Sequence, residues 1–198
     1  LSTTTQALSY ASKFGSSDNM VALWVQNRYI YLLGELTSEV WIDTGGFPFP
    51  FQIIPGTSMM HGLAAPFGIT RLGEYFAFIS VDDRGKNTIV HMNGYSPKRI
   101  STYGVETDLA GQTVSDCIAF TYQIKGHEMA VFIFPTADKT WVYDLSCDKW
   151  HKWLAVDAYN VYHRHRANCA IQFQNLTIVG DYQNGNMYAV DQSTYTDN

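Results

Sequence analysis

The chain has 198 residues, 46% of them apolar and 16% charged, with a net charge of −5. That composition belongs to a folded globular chain and excludes a disordered one. The acidic balance gives no support to a protein that grips a phosphate backbone, because such affinity comes from neutralising phosphates. Aromatics reach 15%, led by 13 Tyr and 11 Phe, which suit a pleated, half-buried surface and point to sheet. Cys117, Cys147 and Cys169 are odd in number and widely spaced, so a secreted disulfide framework is not expected. The longest apolar run, Met129 to Phe134, is far too short to span a bilayer as a helix, and no leader is visible. The chain opens on Leu1 and stops at Asn198 in mid-pattern, so a piece of a longer protein is expected.

Taken in chain order, the elements repeat. A strand at Met20 to Gln26 precedes Arg28-Tyr-Ile-Tyr-Leu-Leu-Gly34 and Val40-Trp-Ile-Asp43, and Phe49 to Ile54 comes after as an outer strand. Phe67 to Leu72 then precedes Tyr75-Phe-Ala-Phe-Ile-Ser80 and Val90-His-Met-Asn93, with Lys98 to Glu106 outside. Ser115 to Ile124 leads into Met129-Ala-Val-Phe-Ile-Phe134 and Trp141-Val-Tyr-Asp144, and then to Trp150 to Val156. Ala167 to Phe173 leads into Leu176-Thr-Ile-Val-Gly180 and Tyr188-Ala-Val-Asp191, with no outer strand after it. One stretch of helix is expected, around Glu106 to Gln112.

Asp43, Asn93, Asp144 and Asp191 close their strands at steps of 50, 51 and 47 residues and read as equivalent structural positions. The gaps hold turn residues: Asp82-Asp-Arg-Gly85 in the second unit and Asn184-Gly185 in the fourth, the latter predicting a type I′ turn. Continuous apolar runs imply strands buried on both faces, as when each blade of a propeller packs between two others. Pro48, Pro50 and Pro97 fall at outer strands, where a missing ladder donor does least harm. The fold expected is an all-β propeller or partial propeller of about four blades in one domain, with units near 16–56, 61–106, 114–157 and 166–198. Paired sandwiches are the competing architecture, and four blades suggest an open arc.

Three constellations carry possible chemistry. Ser80-Val-Asp-Asp-Arg-Gly85 and Thr136-Ala-Asp-Lys-Thr-Trp141 approach the Asp box of sialidases, but the glycine is displaced in one and missing in the other. Asp side chains stabilising turns explain both. A glycosidase needs two carboxylates facing one bond. His163, His165 and Cys169 include zinc-ligand types on alternating strand positions, set against a polar edge with Cys169 as a small hydrophobe. Lys149, Trp150, Lys152 and Trp153, joined by Arg164 and Arg166 if the fold brings them near, interleave cations with aromatics as a nucleic-acid patch does. The competing reading is an outer strand with its rings on the blade and its lysines in water. Ser115, Asp116 and Cys117 adjoin but form no nucleophile elbow. No phosphate-binding loop is present, and no cofactor or metal is assigned.

The order Glu39-Val-Trp-Ile-Asp43, Phe47-Pro-Phe-Pro-Phe51, Ile54-Pro-Gly56, His61-Gly-Leu-Ala-Ala-Pro66 and Gly94-Tyr-Ser-Pro-Lys-Arg-Ile-Ser-Thr102 resembles the packaged-DNA stabilisation proteins of short-tailed bacteriophages. So do Phe134-Pro-Thr-Ala-Asp-Lys-Thr-Trp-Val-Tyr-Asp144, His165-Arg-Ala-Asn168 and Val179-Gly-Asp-Tyr-Gln-Asn-Gly-Asn-Met-Tyr188. The resemblance runs from about Leu8 to the end and rests on the order and spacing of the motifs. It implies a tail-hub or nozzle protein in the virion tail, assembled in the bacterial cytoplasm. Its expected partners are other copies in a ring, portal–adaptor and tail proteins, and packaged DNA in passing, with no membrane contact. It implies closure of the portal channel, retention of DNA in the head, and no catalytic residues. The alternative carried alongside is a carbohydrate-binding or glycoside-hydrolysing propeller, which would bring carboxylates and an aromatic platform to the central axis.

Overall fold

The computed structural model describes residues 12–13, 15–81 and 86–191. Eighteen strands and one helix lie within them. The first sheet is β1 (Met20–Gln26), β2 (Tyr29–Gly34), β3 (Ser38–Asp43) and β4 (Phe51–Ile53), paired in chain order. In the second, β5 (Gly62–Leu63) and β6 (Ile69–Leu72) pair with different stretches of β7 (Tyr75–Val81), and β8 (Asn87–Asn93) and β9 (Ser96–Arg99) complete it. Helix α1 (Tyr103–Leu109) comes next. The third sheet is β10 (Ile118–Ile124), β11 (His127–Phe134), β12 (Lys139–Asp144) and β13 (Lys149–Lys152). A hairpin of β14 (Leu154–Val156) and β15 (Tyr162–Arg164) leads to β16 (Ala167–Phe173), β17 (Leu176–Asp181) and β18 (Met187–Ala189). These are the expected antiparallel blades, and the fourth has three strands among the described residues.

Every ladder runs antiparallel and, apart from β5 with β7, joins chain neighbours, so each blade is a meander built mainly from local turns. The tips joining first to second strands use left-handed backbone: Asn27 and Arg28, Gly73, Lys125 and Gly126, and Gln174 all have positive φ. Arg28 therefore belongs to a turn and not to the strand. The Asn184-Gly185 turn is not type I′. Gly185 alone has positive φ there, and the Asn184 side chain instead accepts the Asn186 N–H at 2.9 Å, an Asx turn. The Asp82-to-Gly85 turn lies outside the described residues, as does most of the Asp box that includes it.

The apolar runs divide by parity, because successive strand residues point to opposite faces. On β7, Phe76 and Phe78 pack toward the first blade with Tyr31, Leu33 and Val40, while Ala77 and Ile79 pack toward the third. On β11, Phe132 and Phe134 face the second blade, while Val131 and Ile133 face the fourth, against Ala167 and Val179. Among the described residues three cores result, one at each junction of consecutive blades. Full burial of one such side chain contributes about 1.5–3 kcal/mol. Hydrogen bonds cross the same junctions: Ala119 N to Phe67 O at 2.8 Å, and Thr70 Oγ1 with Thr121 Oγ1 at 2.8 Å. Backbone contacts join β6 to β10 and β10 to β16, so the first strands of successive blades converge as the inner edge of the stack.

All three expected outer strands are shorter than the sequence implied, and Phe49 to Ile54 yields only β4. Lys98 to Glu106 divides into β9 and the start of α1, which begins three residues before the expected helix. Glu106 explains the turn inward. Its carboxylate is buried and accepts from Arg99, from Ser101 Oγ at 2.6 Å and from Lys86 Nζ at 3.0 Å. Ser101 Oγ in turn accepts the Ile89 N–H at 3.1 Å. Trp150 to Val156 divides between β13 and β14. Trp153 breaks the strand by turning against the core, stacked near Tyr122 and His165, while its N–H bonds Thr140 O at 3.2 Å.

Candidate functional site

A catalytic propeller would gather charged groups on its inner strands. Here β1, β6, β10 and β16 contain no Asp or Glu at all, and Arg71 is their one charged residue. The cleft between the inner edges of the first three blades is lined by Ala22, Leu23, Trp24, Pro66, Phe67, Ile69, Ile118 and Ala119. No carboxylate pair faces it, so it offers neither an acid nor a nucleophile for glycoside cleavage. Cys117 is buried, and burial pushes its thiol well up, while Asp116 Oδ2 accepts the Thr136 N–H at 2.7 Å. This trio is a turn, not a nucleophile site.

The interleaved cations and rings do not form one surface. Trp150 lies against Phe132, Trp141 and Tyr143 on the side of the second blade and donates Nε1–H to Ile100 O at 2.8 Å. Trp153 is half-buried and packs against the core on the opposite side. Lys152 sits over the Trp141 ring and 3.4 Å from Asp108, which also accepts from Lys139 Nζ and Trp141 Nε1. Arg164 is buried, its guanidinium 3.6 Å from the Tyr182 ring centre. Arg166 is 3.1 Å from the buried Asp181 carboxylate. Lys149 is exposed. Both indoles are half-buried, each packed against a different core.

His163, His165 and Cys169 are likewise engaged separately. His163 and His165 flank the end of β15, not one continuous strand. His163 Nδ1 is 2.8 Å from Asp138, and its Nε2 is 3.5 Å from Asp157. The hydrogen bond to Asp138, then that to Asp157, raises its pKa. His165 Nδ1 accepts the Ala167 N–H at 3.2 Å, and Cys169 lies exposed on the fourth blade beside Gly180. Asp138, from the near-match to an Asp box, holds His163 and accepts the Arg164 N–H at 2.9 Å. That box is a clamp between a hairpin tip and the chain leaving the blade.

The strand-closing residues do not share one register: Asp43 lies one step beyond the start of β2, Asn93 and Asp191 face the first residues of β7 and β17, and Asp144 faces the third residue of β11. Met129 faces Asp144 directly, and extending the other ladders places Arg28 opposite Asp43, Tyr75 opposite Asn93 and Leu176 opposite Asp191. Asp43 accepts the Gly45 N–H at 2.9 Å, and Asp144 accepts the Ser146 N–H at 2.8 Å, so both begin an Asx turn.

The family model described as bacteriophage P22 Gp10, β-propeller, matches residues 2–195. The chain belongs to this P22 Gp10 family. Its family is one of structural phage proteins that stabilise packaged DNA. No curated protein matched the chain. Among the described residues of this P22 Gp10-type chain, no helix is long and apolar enough to cross a membrane.

Sequence reasoning missed two features of the P22 Gp10-type chain. One is the outward face of the fourth blade. Cys169, Ile171, Phe173, Leu176, Ile178, Met187 and Ala189 share that face by register. Ile171 is 65%, Phe173 58%, Leu176 52% and Met187 78% exposed, which is inter-blade chemistry with no blade against it among the described residues. The other is a group of ligand-type side chains, Asp144, Cys147 and His151, around the last turn of the third blade. The spacing Asp-x2-Cys-x3-His was present in the sequence, but without a fold nothing placed the outer strand back beside the turn.

Proposed function

We propose that this chain is a structural part of a phage tail hub, acting with other copies in a ring below the portal and its adaptor to close the channel and keep packaged DNA in the head. The observation that carries this reading is the apolar outward face of the fourth blade, which bears residues of the kind that fill the three blade junctions. Leu23 and Val25 at the outward side of the first blade are exposed in the same way. An assembly protein presents such surfaces to neighbours, and a secreted lectin or hydrolase would present a polar binding cleft. The acidic net charge and the near-absence of cations on the inner strands favour passing contact with DNA over tight binding.

Electron microscopy of the full-length protein mixed with portal and adaptor tests the proposal. A ring of copies seated on the portal–adaptor complex is expected, with density over the outward blade faces. Failure of the full-length protein to bind that complex would overturn it.

A further inference from the structure

The third blade carries a chemistry that its siblings lack. At the end of β12, Asp144 holds the turn with Oδ1, as Asp43 does in the first blade. Its Oδ2 does something else: it accepts from His127 Nδ1 at 2.7 Å and from Cys147 Sγ at 3.2 Å. The ligand atoms of Asp144, Cys147 and His151 all lie within 4.8 Å of one another. His151 stands opposite Val142 on β13, and therefore on the same face as Asp144 and His127. Turn formation explains none of this. The corresponding connection in the first blade, residues 44–50, and that in the second, residues 94–95, contain neither His nor Cys. The positions equivalent to His127 are Tyr29, Tyr75 and Leu176.

We propose that Asp144, Cys147 and His151, with His127 at the fourth corner, form a site for a zinc-type divalent cation. One thiolate, two imidazoles and one carboxylate are the ligand types such an ion takes, at about 2.0–2.3 Å each. Ligand atoms around a tetrahedral ion then stand roughly 3.3–3.8 Å apart. Reaching that spacing takes only rotation of exposed side chains, since Cys147 and His151 both lie at the surface while Asp144 is fixed and buried. On binding, the Cys147 S–H bond breaks and its proton goes to solvent. The sulfur lone pair enters the metal bond, and each imidazole binds as the neutral ring. The ion would tie β11, β12 and β13 together at the rim of the blade.

The test uses the purified chain, stripped with a chelator and titrated with Co2+. One ion per chain is expected, with a cobalt–thiolate charge-transfer band. Cys147→Ser should abolish the band, and Cys147→Ser or His151→Ala should weaken binding by more than about 100-fold, since even outer-shell changes cost 10–100-fold. Cys169→Ser should change nothing. In the unmutated chain, Zn2+ should protect Cys147 from iodoacetamide. The proposal is overturned by absence of saturable one-to-one binding, by a band that survives Cys147→Ser, or by alkylation of Cys147 that Zn2+ leaves unchanged.

Discussion

Replacing Glu106 by glutamine isolates the electrostatic tie between α1 and the second blade. The side chain is 3% exposed and accepts from Arg99, Ser101 and Lys86. Glutamine keeps the shape but turns an amide N–H2 toward donors. Removing one partner from a buried pair costs about 3–5 kcal/mol. Here the cations are half in water, with Arg99 50% and Lys86 51% exposed, and both can be resolvated. That discount brings the expected loss to about 2 kcal/mol. For a chain of this size the melting temperature should fall by about 4–8 °C. Burial alone would raise the Glu106 pKa, but hydrogen bonds from Ser101, Lys86 and Arg99 outweigh it and hold it below the ordinary value. A depressed folded pKa stabilises the protein above the unfolded value, and that contribution is lost as pH falls through the folded one. Thermal melts by circular dichroism should therefore show the gap between parent and Glu106→Gln at neutral pH, closing in acid. Equal melting temperatures at neutral pH, or a gap unchanged after both proteins are acidified below the carboxylate range, would refute the reasoning.

Phe132→Ala empties part of the core between the second and third blades and should cost about 3–5 kcal/mol in urea unfolding, because the ring is wholly buried. His163 should titrate above the ordinary histidine value by NMR; its raised folded pKa means that its contribution is complete below the unfolded value and lost as pH rises through the folded one. Asp138→Asn should return that titration toward normal. Ile171→Asp, on the exposed face of the fourth blade, should leave stability within about 0.5 kcal/mol while reducing binding of an apolar dye and any self-association seen by sedimentation.

The repeat was legible because strand parity leaves a mark when both faces are buried. Phe76 to Ile79 and Ala130 to Phe134 read as unbroken apolar runs, and Met20–Gln26 and Ala167–Phe173 have the bounds their β pattern implied. Outer strands were less legible. Ser96–Arg99 and Lys149–Lys152 are polar edges, and each ends where a later residue pulls the chain inward, Glu106 in one case and Trp153 in the other. The inner tips escaped because Asn27-Arg28 and Lys125-Gly126 adopt left-handed turns without the Asn-Gly signature. At the site level, the absence of Asp and Glu from all four inner strands could be read directly once the strands were placed. The roles of Lys149 to Trp153 could not: one residue decides whether an indole points into a core or into water, and that depends on which blade packs on which face.

The three cores join only consecutive blades, and this gives the molecule the mechanics of a stacked array. In such an array free energy is approximately a sum of unit terms and nearest-neighbour terms. Among the described residues, a disturbance at the first blade reaches the fourth by way of all three junctions. Blades can therefore loosen one seam at a time while the rest keep their register. A stack of this kind yields by degrees in place of all-or-none failure.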